Sequence, residues 1–485
     1  MDPGPPHLGL ATSADPPMAP HRQRRGAILL PATATVAKWV RRRRTPRIAL
    51  REAPLRGQRT APCVRPAPRV TWLNARAGEP GDGRASVAER VDAHRDAPVR
   101  EAADVSHSSA RVLLSMALLI VASCGGDEHA GTEPTRTFAV QVPRTGQTAS
   151  RAAGDDGATQ RGAAWPSPRF TDPDGTLPVS GAVVLDRLTG LVWTANANAP
   201  GPVACGPGRQ MNWLAALTYV DCLNAQAYLG FTDWHLPNRT ELISLLDYEP
   251  RDWPAWMASQ GFADVMTSYW SSTTFSDASP TNQLRWAVWS ASTDIRYSRD
   301  ELHVWPVRGA AASLPRTGQA TSYAAGDDGD LRLGAVWPEP RFTRPAGTDG
   351  VLLDGLTGLM WTQDAHAPGP TACNPGVPKS WADALSHVDC LNAHRFLGHS
   401  DWALPNINEL ESLVPLNTTS PFYWLNTHGF RNVGAAAYWS STTVAAADSP
   451  FAWVIVMTQG YRGPADKPNP LRVWPVRRWR AVDPG

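Results

Sequence analysis

The feature that most constrains this chain is that it contains the same unit twice. Pro143-Arg144-Thr145-Gly146-Gln147 returns as Pro315-Arg316-Thr317-Gly318-Gln319, and the copies close on Leu302-His303-Val304-Trp305-Pro306-Val307-Arg308 and Leu471-Arg472-Val473-Trp474-Pro475-Val476-Arg477. Between those ends Trp193/Trp361, Cys205/Cys373, Trp213/Trp381, Cys222/Cys390, Trp234/Trp402 and Glu241/Glu409 share one offset of 168. Solenoid and propeller repeats run to roughly 20–50 residues, so a period this long predicts a whole domain per copy, each with its own core. The boundaries read as residues 141–309 and 313–479.

Charge divides the 485 residues into two parts. Residues 1–123 carry 20 Lys and Arg against 10 Asp and Glu, whereas the remainder carries 26 against 34, with Lys379 and Lys467 its only lysines. Nucleic-acid binding needs clustered cations to neutralise phosphates, so an acidic, lysine-poor pair of domains argues against a nucleic-acid partner. Residues 1–110, with Arg41-Arg42-Arg43-Arg44, many prolines and no sustained apolar period, read as disordered or as a mis-annotated extension upstream of the true start. A basic nucleic-acid tail is the alternative for that stretch.

Arg111 is followed by the apolar run Val112-Leu113-Leu114-Ser115-Met116-Ala117-Leu118-Leu119-Ile120 and then by Val121-Ala122-Ser123-Cys124. The run is too short for a membrane span and right for the h-region of a signal peptide, which places the true start between about residues 88 and 110. Val-Ala-Ser-Cys resembles the lipobox of bacterial lipoproteins, which makes Cys124 the lipidation candidate; cleavage near Ala122 by an ordinary signal peptidase is the alternative. Gly125 after the cysteine implies, by that resemblance, outer-membrane sorting, and residues 125–140 read as a linker.

Apart from Cys63 and Cys124, each copy holds two cysteines at equal spacing. In an exported protein they read as disulfides, Cys205 to Cys222 and Cys373 to Cys390, each stabilising its domain by about 3 kcal/mol in the chain-entropy model. No histidine repeats between copies, so no metal site and no cofactor are expected.

Each copy opens with Gly154-Asp155-Asp156-Gly157 or Gly326-Asp327-Asp328-Gly329, read as turn chemistry in preference to a calcium loop. Residues 185–193 and 353–361 predict two short strands around a turn. Trp213, Leu217 and Val220 (Trp381, Leu385, Val388) recur at helical spacing and predict a helix stapled near its end by Cys222 or Cys390. Asn238 with Glu241, and Asn406 with Glu409, form the Asn-x-x-Glu signature of a helix start, with Leu242, Leu245 and Leu246 on the buried face. The last third reads as strands at residues 269–273, 286–289 and 303–307, matched at 438–442, 451–456 and 472–476. The expected class is α+β, each copy a twisted antiparallel sheet with two helices.

Asp233, Trp234, Asn238, Asp401, Trp402 and Asn406 are the ligand-binding candidates of the most specific segment, although capping and core packing account for all but the aspartates. Tryptophan is the outstanding side chain, with 21 in the chain. Trp253, Trp256, Trp289 and Trp424 fall outside the repeated set, and exposed indoles stack on sugars, so Trp253, Trp256 and Trp424 join the candidates.

On Pro-Arg-Thr-Gly-Gln, Gly-Asp-Asp-Gly, Leu-Thr-Gly-Leu-x-Trp, Asp-Trp-x-Leu-Pro-Asn-x-x-Glu-Leu, Tyr-Trp-Ser-Ser-Thr and Val-Trp-Pro-Val-Arg, both copies resemble the Legionella collagen-like protein C-terminal (Lcl C-terminal) domain family. The chain departs from that family in lacking a collagen-like region and in holding His235 and Ala403 where Arg is usual. The resemblance implies two tandem C-type-lectin-like domains, on a scaffold related to formylglycine-generating enzyme, with adhesion or glycan binding as the activity. The expectation is therefore a non-enzymatic, lipid-anchored binding module of the cell envelope, with a glycan or surface protein as partner and avidity from two copies. An enzyme on the related scaffold and a purely structural envelope lipoprotein are the alternatives.

Overall fold

The computed structural model describes residues 137–480 other than 178, 276–282 and 447. The N-terminal extension, the apolar run and Cys124 lie outside the described residues. In the first copy α1 (Asp156–Thr159) leads to β1 (Phe170–Thr171), β2 (Val183–Asp186), β3 (Leu191–Thr194), α2 (Trp213–Ala225), β4 (Trp234–His235), α3 (Arg239–Ser244), α4 (Trp253–Ser259), β5 (Ser268–Thr274), β6 (Leu284–Trp289), β7 (Ser292–Tyr297) and β8 (Val307–Arg308). The second copy follows with α5 (Asp328–Leu331), β9 (Phe342–Thr343), β10 (Val351–Asp354), β11 (Leu359–Thr362), α6 (Trp381–Ala393), α7 (Ile407–Glu411), α8 (Pro421–Thr427), β12 (Ala437–Thr443), β13 (Phe451–Val456), β14 (Tyr461–Asp466) and β15 (Val476–Arg478).

The predicted turn between β2 and β3 is built by one carboxylate. Asp186 accepts from the Leu188 amide and the Thr189 hydroxyl while Arg169 closes a buried ion pair on it at 2.8 Å. Gly190, at φ +76, then turns the chain back, a conformation that a Cβ disfavours. Asp354, Arg341 and Gly358 repeat the arrangement in the second copy.

Each copy is α+β with antiparallel pairing, and it holds two sheets instead of the single one expected. The order is β1-β2-β3-β8-β4 in one sheet and β5-β6-β7 in the other; the second copy has β9-β10-β11-β15 and β12-β13-β14, with Ala403 bridging to Val476 where β4 stands in the first. The third strand of the small sheet is β7 or β14, and not the segment around Trp305 or Trp474. Pro306 and Pro475 lack the amide a ladder needs, so those segments run irregularly with their indoles in the core, Trp305 donating to the Thr194 carbonyl and Trp474 to the Thr362 carbonyl. Helices number four per copy among the described residues, against two expected: a single turn (α1, α5) and a seven-residue helix (α4, α8) join the two foreseen.

The cysteines pair as predicted, Cys205 to Cys222 and Cys373 to Cys390, each with Cα atoms 5.7 Å apart. The staple holds α2 and α6 against the preceding loop, and Trp213, Leu217 and Val220 or their partners face a local apolar cluster. Three buried indoles of the first copy donate to backbone carbonyls, Trp213 to Ser271, Trp234 to Tyr228 and Trp270 to Met211, whereas the Nε1 groups of Trp193 and Trp361 have no partner among the described residues.

The main core does not stop at a copy boundary. Val184, Trp193, Tyr269 and Trp305 of the first copy belong to the same buried cluster as Ile407, Tyr438, Trp361 and Trp474 of the second. The copies are therefore joined through their interiors as well as through the chain, beyond the separate cores the duplication predicts.

Candidate functional site: a capped-helix groove and the segment it holds

The Asp-Trp-x-Leu-Pro-Asn-x-x-Glu-Leu motif builds the start of α3 and α7. Asn238 accepts from the Glu241 amide at 2.9 Å, and Glu241 reaches back to the Asn238 amide at 2.8 Å; Asn406 and Glu409 do the same at 2.8 and 3.1 Å. These capping boxes lie inside the protein, with Glu241 and Glu409 fully buried. A buried carboxylate is costly unless it is paired and hydrogen-bonded, so each groove needs a partner for it.

The two copies supply that partner from different places. In the first, His235 Nε2 lies 3.2 Å from Glu241. In the second, Ala403 holds the equivalent position, and Arg161 Nε of the first copy's leading segment lies 3.3 Å from Glu409. Asn406 Nδ2 also donates to the Arg161 carbonyl at 2.8 Å.

Arg161 reaches Glu409 because the leading segments are exchanged. Gln147 forms two hydrogen bonds with the backbone of Thr443, and Asp156 accepts from the Thr442 hydroxyl at 2.6 Å. The Val140 amide donates to Leu356, and Phe138 packs edge-on against Trp479 at 5.9 Å. In the other direction Gln319 pairs with the backbone of Thr274, and Asp328 accepts from Thr273 at 2.8 Å. Each segment thus docks on the copy it does not belong to, while Thr145 and Thr317 keep backbone contacts to Tyr248 and Leu416 of their own copies.

The Gly-Asp-Asp-Gly quartet performs the docking. Asp155 and Asp327 cap their short helices and take up the amides of Arg151 and Ala152, or of Tyr323 and Ala324. Asp156 and Asp328 are buried, each accepting two threonine hydroxyls, Thr145 and Thr442 or Thr317 and Thr273. Thr273 and Thr442 receive in turn the first amides of α3 and α7, so helix start, threonine and aspartate form one relay. Burial pushes both aspartates up to about 7; the hydroxyls restrain the rise, and Glu409 or Glu241 adds to it.

The sequence candidates occupy different environments. Trp234, Asn238, Trp402 and Asn406 are buried in packing and capping. Asp233 pairs with Arg308 at 2.7 Å on an exposed face, whereas Asp401 meets Arg477 at 2.7 Å and Arg480 at 3.1 Å. Trp253 packs on Trp305; Trp256 and Trp424, contrary to the expectation, share the offset of 168 and an equivalent setting, on Phe170 and Trp165 and on Phe342 and Trp337, with Trp424 also stacked on His428 at 3.7 Å. Asp156 and Asp328 read from the sequence as turn residues alone, and Arg161 is not singled out there; its contrast with Leu333 at the equivalent position is the signal that marks it. His394 lies beside Cys373 and Cys390, which are bonded to each other.

This geometry defines a tandem of disulfide-clipped, tryptophan-rich α+β domains laced together by their leading segments. The family model of the Lcl C-terminal domain matches residues 182–308 and 350–477, and the chain belongs to that family. The segments that cross, residues 138–163 and their counterparts before residue 337, precede each matched range. None of the curated proteins compared with the chain matches it. Among the described residues no helix is long and apolar enough to cross a membrane.

Proposed function

We propose that the chain is an exported, lectin-like binding module of the cell envelope, non-catalytic, held at the outer membrane by a lipid on Cys124, with a glycan or surface protein as ligand. Export is supported by the apolar run ending at Ser123-Cys124 and by disulfides in both copies, which persist in oxidising compartments. The pairing of β3 with β8 and of β11 with β15, which brings the two ends of each matched region together, supports the lectin-like reading.

The observation that carries binding is Trp289, 43% exposed at the end of β6 with the Arg296 guanidinium 5.2 Å from its ring. A large indole left in solvent offers a stacking face for a sugar ring, and the neighbouring Arg296–Asp294 pair, 2.8 Å apart, offers a donor and an acceptor for sugar hydroxyls. The strand register places Val456 at this position in the second copy, so the platform belongs to the first.

Binding of the purified protein to glycan and cell-surface protein arrays tests the reading. Trp289→Ala should weaken a detected interaction about tenfold or more with an unchanged melting temperature. Absence of any ligand for the wild-type protein on both arrays would overturn it.

A further inference from the structure

The two grooves hold equivalent carboxylates and receive equivalent segments, and two of the positions at which they differ change together. The first groove has His235 on β4 and receives Leu333, which lines the same small cavity as His235, Glu241, Asp328 and Leu331. The second has Ala403 and receives Arg161, whose side chain is 16% exposed against a Glu409 with no exposure. One ring or guanidinium nitrogen therefore lies against each buried glutamate, supplied by the groove in one case and by the incoming segment in the other.

We propose that these pairs are a docking code: His235 with Leu333, and Ala403 with Arg161, specify which leading segment enters which groove. The reverse docking breaks the pairing in both places. The second copy's segment in its own groove would set Leu333 and Ala403 against Glu409, removing the direct contact that Arg161 makes and leaving only the charge of Arg478 nearby. The first copy's segment in its own groove would bring Arg161 to a Glu241 already paired with His235, placing two bulky groups where the structure holds an imidazole and a leucine. The threonine, glutamine and aspartate contacts are the same in both grooves and cannot discriminate. The code thus makes the exchanged arrangement the preferred one in a chain whose repeats are otherwise alike.

The test is second-site rescue in the full chain, read by hydrogen exchange of residues 138–163 and 310–335 and by thermal unfolding. Arg161→Leu should raise the opening of the first segment about a hundredfold, as expected when one partner of a buried ion pair is removed. Adding Ala403→His should restore most of the protection. His235→Ala should open the second segment, and Leu333→Arg should close it again. The fourfold variant carrying all these changes, which inverts the code at both grooves, should fold with protection close to that of the wild-type chain. Should Arg161→Leu give no folded protein, recovery of soluble protein by Ala403→His carries the same information. Failure of both second-site changes to rescue, or unchanged exchange in Arg161→Leu, overturns the proposal.

Discussion

The two copies share their periphery and differ where they meet. The Asp-Thr turn, the disulfide, the capping box and the core indoles repeat residue for residue, whereas the contact between copies is asymmetric. Arg239, at the first position of α3, is fully buried, pairs with Glu411 at 2.7 Å and the Gly460 carbonyl at 2.6 Å, and lies over the Trp286 ring. Its counterpart in α7 is Ile407. On the other side Arg462 of β14, also fully buried, contacts Tyr248, Asn408 and Glu411, and the register gives Thr293 as its counterpart, whose hydroxyl accepts from the Arg462 amide. Burial pulls Arg239 down to about 10, which leaves it charged at neutral pH. The lesson is that a duplicated fold keeps its local devices, which each copy needs alone, and diverges at the shared interface, where each position has a single, different neighbour.

Breaking that asymmetry should have the largest effect. Glu411→Ala removes the carboxylate that faces Arg239 and Arg462, and should destabilise the protein by about 3–5 kcal/mol in denaturant unfolding. The equivalent Ile243→Ala removes only apolar volume and should cost about 2–5 kcal/mol, without the salt dependence expected of Glu411→Ala.

The grooves, by contrast, should behave alike towards pH. Asp156 and Asp328 have ordinary values near 3.8 unfolded and about 7 folded. A raised carboxyl favours the folded state when protonated: its contribution is complete below the unfolded value and is lost as pH rises through the folded one. Stability should therefore fall between about pH 4 and 7, by about 1.4 kcal/mol per pKa unit per group as an upper bound. Asp247, raised by burial to about 6, adds to the same trend, and Asp401, held low chiefly by Arg477 against its own burial, opposes it at the acidic end. Asp156→Asn and Asp328→Asn should each flatten the slope to a similar degree; a slope unaffected by both would contradict the assignment.

The smallest difference expected is on the surface. Arg308→Ala breaks the exposed pair with Asp233 and should change stability by about 0–1 kcal/mol. Arg477→Ala, at a side chain 3% exposed whose partner Asp401 is 24% exposed, should cost more, by about 1–3 kcal/mol in the same assay.

Much of this was legible in the chain because the signals are local. Asn-x-x-Glu fixed the start of α3 and α7, and the equal spacing of two cysteines in each copy, read with the expected export, pointed to both disulfides. The β7 and β14 strands escaped because Ser292–Tyr297 is polar and Tyr461–Asp466 contains Gly463 and Pro464, neither resembling a buried strand. The helices α4 and α8 are too short for a period to show. The exchange was invisible for a deeper reason: Gln147 reads the same whether it meets Thr274 or Thr443, so no motif states which copy it serves. Only the paired departures, Arg161 from Leu333 and His235 from Ala403, carry that information, and they acquire meaning once Glu241 and Glu409 are known to be buried.

Phe138 and Trp479, at opposite ends of the described residues, touch. Entry and exit of the polypeptide thus share one doorway on the second copy, so the whole tandem can be spliced into a loop of a host protein or closed into a ring by a short peptide without disturbing its interior.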